Sequence, residues 1–201
     1  MFKYFFNTVL LSFIFLLIIS IFIPFFSSIP VTLSEEYYLQ YNINLSAISS
    51  SIFGFYWPLP YNHRISSYFG HRVSPTTGAS SYHQGIDIPA SENTYFLSIM
   101  DSKVVSTGFS GSGGYTIVCV SGSYRISYCH VSPKFLVSVG DSLVAGQVIG
   151  QVGPKYVYDV VGNPYHDATG RPTNGSTTGC HLHITIKLDG NAVNPLDYIE
   201  V

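Results

Sequence analysis

Four histidines and one aspartate stand in patterns that could hold a metal ion and use it. His83 and Asp87 lie four apart in His83-Gln84-Gly85-Ile86-Asp87. His181 and His183 flank Leu182 near the C-terminus, and His130 closes Tyr128-Cys129-His130 between the two. Catalytic zinc takes three protein ligands from His, Asp or Glu and leaves a position for water. Five such residues are enough for a metal and its helpers, with hydrolysis as the chemistry. Each patch alone is a weak signal. H-x-x-x-D recurs by chance, H-x-H can be the outer face of a surface strand, and a lone histidine is more often structural. The weight lies in the combination, because the chain has 7 histidines and four fall in these three patches.

The elements that must position these residues read as β. Gly85 and Pro89 argue against a helix through the first patch. In a straight strand His83 and Asp87 would stand roughly 13 Å apart. If both bind one ion the backbone bends between them, and Gly85 is the place for it. His181 to Ile186 is strongly β, so period-2 alternation puts both imidazoles on one face, roughly 6–7 Å apart, with Leu182, Ile184 and Ile186 inward. The spacing leaves open which histidines ligate.

Further strands are expected at Ile65–Tyr68, Lys103–Gly108, Tyr115–Val120, Tyr124–His130, Phe135–Val139, Val144–Gln151 and His181–Leu188, with a hairpin turn at Ser121-Gly122-Ser123. No amphipathic helix is evident beyond residue 60. The fold class expected is all-β, an antiparallel sheet or sandwich. The stretch Val139 to Gly150 resembles the barrel hairpins of biotinyl and lipoyl carrier domains. Those need a lysine at the hairpin tip, which is missing, so the likeness is one of shape.

The 201 residues suit one domain with an appendage. Tyr4 to Leu33 carries no charge, and its apolar core, Val9 to Phe26, is long enough to cross a bilayer as a helix. No A-x-A cleavage pattern follows, which favours a retained anchor over a signal peptide. Lys3 precedes the span and Glu35 and Glu36 follow it, which places the bulk of the chain outside the cytosol. The division expected is an anchor over 1–33, a stalk over 34–56 and a folded domain over 57–201. A net charge of −2 and 10% charged residues exclude an electrostatic grip on nucleic acid. Cys119, Cys129 and Cys180 show no C-x-x-C spacing and read as small buried thiols, with a Cys129–Cys180 bridge as the alternative. Alternation along their strands should turn Cys129 and Cys180 away from the metal.

Taken together, the motifs resemble the M23, lysostaphin-type, family of peptidoglycan endopeptidases. They are Ser67-Tyr68-Phe69-Gly70-His71-Arg72, His83 to Ile88, Tyr128-Cys129-His130-Val131-Ser132, Val148-Ile149-Gly150 with Gly153, Ser176 to His183, and Asn194-Pro195-Leu196-Asp197-Tyr198, in the family's order over about 140 residues. The resemblance implies that His83, Asp87 and His183 bind Zn2+, and that His130 and His181 flank the water and the scissile carbonyl. It implies a peptidoglycan peptide as substrate. Two neutral imidazoles and one carboxylate leave the ion net positive, which acidifies water and polarises a carbonyl. With the N-terminal span, the expectation is a single-pass membrane protein whose catalytic domain faces the wall, possible partners being components of an envelope apparatus.

The chain departs from the family pattern in places. Pro154 to Gly175 is a long insert, expected to wall the cleft. Cys180 replaces the usual proline before H-L-H, and Ile184-Thr185 replaces the usual Phe-Glu after it. None of the five site residues is lost. The competing expectation is a catalytically silent relative that binds wall or serves as a scaffold in an envelope complex.

Overall fold

In the computed structural model, residues 54–76 and 79–199 are described. The expected membrane anchor and most of the expected stalk lie outside them. Among the described residues no helix is long and apolar enough to cross a membrane. Eleven strands are β1 (Gly70–His71), β2 (Tyr82–His83), β3 (Ile86–Pro89), β4 (Tyr95–Leu97), β5 (Ser102–Phe109), β6 (Tyr115–Ser121), β7 (Tyr124–Cys129), β8 (Ser142–Leu143), β9 (Val148–Gln151), β10 (His181–Leu188) and β11 (Asn191–Val193). The helical content is short 3-10 turns at Gly111–Gly113 and Pro195–Asp197.

One antiparallel sheet runs in the order β11-β10-β7-β6-β5-β8. Strand β10 is its axis. One edge pairs with β7, and the other pairs with β3 along its first half and β11 along its last. Alternation divides the sheet into two faces. Ile117 and Cys119 of β6, Ile126 and Tyr128 of β7, Leu182, Ile184 and Ile186 of β10, and Ile86 and Ile88 of β3 all point one way into a sealed core. Phe96 and Ile149 from the β4–β9 pair close that core, with Phe55, Trp57 and Leu59 from the chain's entry. Phe55, within the expected stalk, packs on Tyr124 and Tyr198. Each fully buried aliphatic side chain contributes about 1.5–3 kcal/mol. The opposite face carries Thr116, Val118, Ser127, Cys129, His183 and Thr185 and floors an open groove.

Strands β5, β6, β7 and β10 match the sequence expectation closely. Three others do not, for local reasons. Phe135–Val139 forms turns, because Asp141 Oδ2 takes the Ser138 N–H at 2.8 Å and Ser132 Oγ takes the Lys134 N–H at 3.2 Å. Val144–Gln151 is strand only over β9. Gln147 Oε1 accepts the Val144 N–H and Asp101 Oδ1 the Ala145 N–H, which leaves a turn between β8 and β9. Ile65–Tyr68 makes a single bridge, Ser67 to Asp87, and the strand that follows is the short β1.

Candidate metal centre

Asp87 and His183 meet through strand register. They are directly opposite in the antiparallel β3–β10 pair, and so share a face. His83 ends β2, and the chain bends at Gln84-Gly85 before β3 begins. Gly85 is required there by space: a Cβ would stand 2.1 Å from the Ile184 carbonyl oxygen. The bend brings His83 Nε2 to 2.9 Å from His183 Nδ1 and 3.2 Å from Asp87 Oδ1, while His183 Nδ1 lies 2.7 Å from Asp87 Oδ1. These three donor atoms form one group able to hold a metal ion.

The outer hydrogen bonds suit that use. His83 Nδ1 donates to the Tyr68 carbonyl at 2.9 Å, which leaves Nε2 an acceptor. His183 Nε2 lies 2.9 Å from Thr185 Oγ1, so a His183 that donates there turns a bare Nδ1 inward. Arg72 Nη1 holds the other oxygen of Asp87 at 3.1 Å and also bonds Ser67 Oγ. Burial alone would raise the Asp87 carboxyl. Contacts with His181, His183 and His83 outweigh it and hold the group well below the usual carboxylate range. Burial pushes the His183 imidazole down against the opposing pull of Asp87. The set therefore offers one carboxylate and two imidazoles, a donor chemistry that fits zinc.

Two further imidazoles stand beside the three donors. His130 lies 4.6 Å from His181 and 6.1 Å from His183, ring centre to ring centre. His130 Nδ1 donates to the Asn174 carbonyl at 2.6 Å, and His181 Nδ1 to the Gly179 carbonyl at 2.9 Å. Both therefore present a bare Nε2. Burial, then the neighbouring His181 and His183, lower His130 to about 3. His130 holds a positive φ of 57°, a conformation that costs about 1–3 kcal/mol for a non-glycine residue. It is held by its own N–H to the Gly113 carbonyl and by the Gly153 N–H to its carbonyl. The five residues singled out in the sequence thus come together at one site.

That backbone twist also overturns the expectation for Cys129. It sits directly opposite His183 on the groove face, since His130 has left the strand's alternation. Burial pushes its thiol up to about 11. Cys180, at the rim of the groove, packs against the core as alternation expects, and all three cysteines are free, with no bridge between Cys129 and Cys180.

The groove, about 950 Å³, is walled by Arg72, Val73, Pro75, Ala79, Ser80 and Tyr82 on one side and by Ser110, Ser112, Gly113 and Ser176 to Cys180 on the other. The insert 154–175, expected to form this wall, contributes none of its lining. It stands behind it, with Gly175 pressed on Gly114 and Ser112. Asp167 bonds Tyr156 Oη and Arg171, and Asp159 bonds Tyr115 Oη. His166 is exposed on that insert, away from the donors. Sequence reasoning missed two positioning residues. Arg72 was legible as the end of the Ser67–Arg72 motif. Asn174 carried no signal, yet its carbonyl fixes His130, its Oδ1 accepts the Tyr115 N–H and its Nδ2 donates to the Val131 carbonyl.

This geometry agrees with what the chain resembles. Residues 81–195 match Peptidase family M23, and the chain belongs to that family. It is 31% identical over 140 residues to the DD-carboxypeptidase/endopeptidase Mpg of Neisseria meningitidis, covering 69% of this chain and 27% of that protein. It is 30% identical over 131 residues to the murein hydrolase activator NlpD of Escherichia coli, covering 64% and 29%. Among solved structures, the catalytic domain of lysostaphin from Staphylococcus simulans superposes with a TM-score of 0.55 at 26% identity, covering 70% of this chain and 93% of that one. The chain spans about a quarter to a third of the curated relatives' length.

Proposed function

We propose that the chain is a membrane-anchored zinc metalloendopeptidase that hydrolyses peptide bonds in the stems or cross-bridges of peptidoglycan. The observation that carries this is the convergence of His83 Nε2, Asp87 Oδ1 and His183 Nδ1 beside two imidazoles whose Nε2 atoms are bare. The first three residues would hold the ion. Zinc, when bound, supplies Lewis acidity that makes water a nucleophile near neutral pH. His130 and His181 handle the protons. His130, buried and neutral, orients the water through Nε2. His181, half-buried at the groove, takes the proton and returns it to the leaving amine. Arg72 keeps Asp87 from turning, and the groove excludes enough water to hold an extended peptide.

The anchor over 1–33 fits a substrate outside the membrane, with the short stalk keeping the enzyme near the bilayer. Full-length protein in detergent is to be incubated with purified peptidoglycans of differing cross-bridge type, and the products weighed by mass spectrometry. Peptide-cut fragments that vanish with chelator and in His183→Ala support the reading. Zinc-loaded protein that releases nothing from any wall type leaves the second reading, a wall-binding activator or scaffold, as the better one. The likeness to NlpD favours that alternative; the full set of five polar residues favours hydrolysis. Location is tested by protease shaving of intact cells, in which the domain is degraded if it faces outward and spared if it does not.

A further inference from the structure

The groove floor ends in a row of cations that, among the described residues, form no ion pair. Strand register places Lys103 opposite Val120, Val120 opposite Arg125, and Arg125 opposite Lys187. Residues directly opposite share a face, so this row lies on the same face as His183, four residues along β10. At about 3.3 Å per residue that is roughly 13 Å from the metal donors. Arg125 and Lys187 line the groove itself, and Lys103 is exposed two strands further on.

Two features make this more than a solvated surface. Like charges directly opposite in neighbouring strands destabilise a sheet, and Arg125 faces Lys187 in that way. Among the described residues, none of the three cations has an ion-pair partner, while Arg72 and Arg171 both do. In the rows between them and the metal donors stand Val118, Ser127 and Thr185, which carry no charge. In a chain with only 10% charged residues, a row of three cations within reach of the site is a marked concentration.

We infer that Arg125 and Lys187, with Lys103 beside them, form a subsite for a carboxylate of the substrate peptide, three to four extended residues from the bond that is cut. This rests on the proposed function, since the occupant is the same peptide. Arg125 offers a fork that matches a carboxylate, and an arriving anion removes the repulsion between the two facing cations. The uncharged floor of Val118, Ser127 and Thr185 leaves the intervening peptide free to lie flat. Specificity for the wall peptide is thereby set by a charge at a fixed distance from the metal, while the metal centre itself is indifferent to it.

The test uses full-length protein in detergent and cross-linked muropeptide dimers with stem carboxylates either free or amidated. Binding is measured on metal-stripped protein and cleavage on zinc-loaded protein. Wild type should prefer the free acids by about five- to tenfold. The double variant Arg125→Gln/Lys187→Gln should bring that ratio close to one, while Lys134→Gln, an exposed lysine elsewhere, keeps it. If wild type cuts both forms equally, or the double variant keeps the preference, the subsite is refuted and hydrolysis stands. If the free acids bind preferentially through Arg125 and Lys187 but nothing is cut, the subsite stands and the hydrolytic reading fails. Binding to phosphatidylglycerol vesicles that the double variant loses, with no preference between the peptides, would assign the row to phosphate surfaces and overturn the proposal.

Discussion

His83 Nε2, Asp87 Oδ1 and His183 Nδ1 must all be free of protons to hold a divalent cation. Zinc affinity should therefore fall as pH drops. The acid limb of activity should move to lower pH when zinc is in excess, read from pH–rate profiles at two zinc concentrations. His130 does not set that limb, because burial holds it neutral down to about 3. The same shift acts on stability. A histidine whose proton affinity is lowered on folding binds more protons when unfolded, between its ordinary value of 6.5 and about 3. Stability rises with pH across that window and is lost as pH falls through it. For metal-free protein the urea midpoint should decline from about pH 6.5 to 4.5, and His130→Gln should flatten the decline. Arg72→Met leaves Asp87 unclamped and should weaken zinc about 10- to 100-fold in a chelator competition, with the fold retained. The five reacting positions were legible because histidine spacing and strand alternation are local. Arg72 was visible as the end of a motif but not as the clamp on Asp87, and Asn174 acts through a carbonyl that long-range contacts place, of which spacing carries no trace.

Strand β10 explains why so few residues suffice. Its inward leucine and isoleucines anchor it in the core, and the same alternation presents His181 and His183 to the groove. Its partners then deliver Asp87 from β3 and, past the twist at His130, a third imidazole from β7. Gly85 lets β3 approach. Gly85→Ala should cost about 3 kcal/mol or more in unfolding free energy, and zinc binding should be lost with it, since Ile184 cannot retreat from a paired strand. Asn174→Ala orphans two buried backbone groups, each at about 1–3 kcal/mol, and loosens the backbone segment whose carbonyl holds His130. Its rate should fall while zinc content is kept. The long central strands could be read from β-branched alternation. Phe135–Val139 could not, because side-chain acceptors take the amides of Ser138 within it and Lys134 just before it, and a sequence shows no such competition.

For the whole molecule, the sheet works as a partition: apolar residues seal one face, and the other is left open as a groove with the candidate metal site and cations further along its floor. The insert 154–175 was legible as an interruption, but its place behind the wall depends on long-range bonds, Asp159 to Tyr115 and Asn174 to Tyr115 and Val131. The division of the five site residues into three ligands and two proton carriers is the account's central claim. It is tested most directly by zinc content per chain in single alanine variants. The account predicts about one zinc in wild type, His130→Ala and His181→Ala, with the last two inactive, and none in His83→Ala, Asp87→Ala or His183→Ala. Zinc retained by His183→Ala, or lost from His130→Ala while its fold persists, would contradict it.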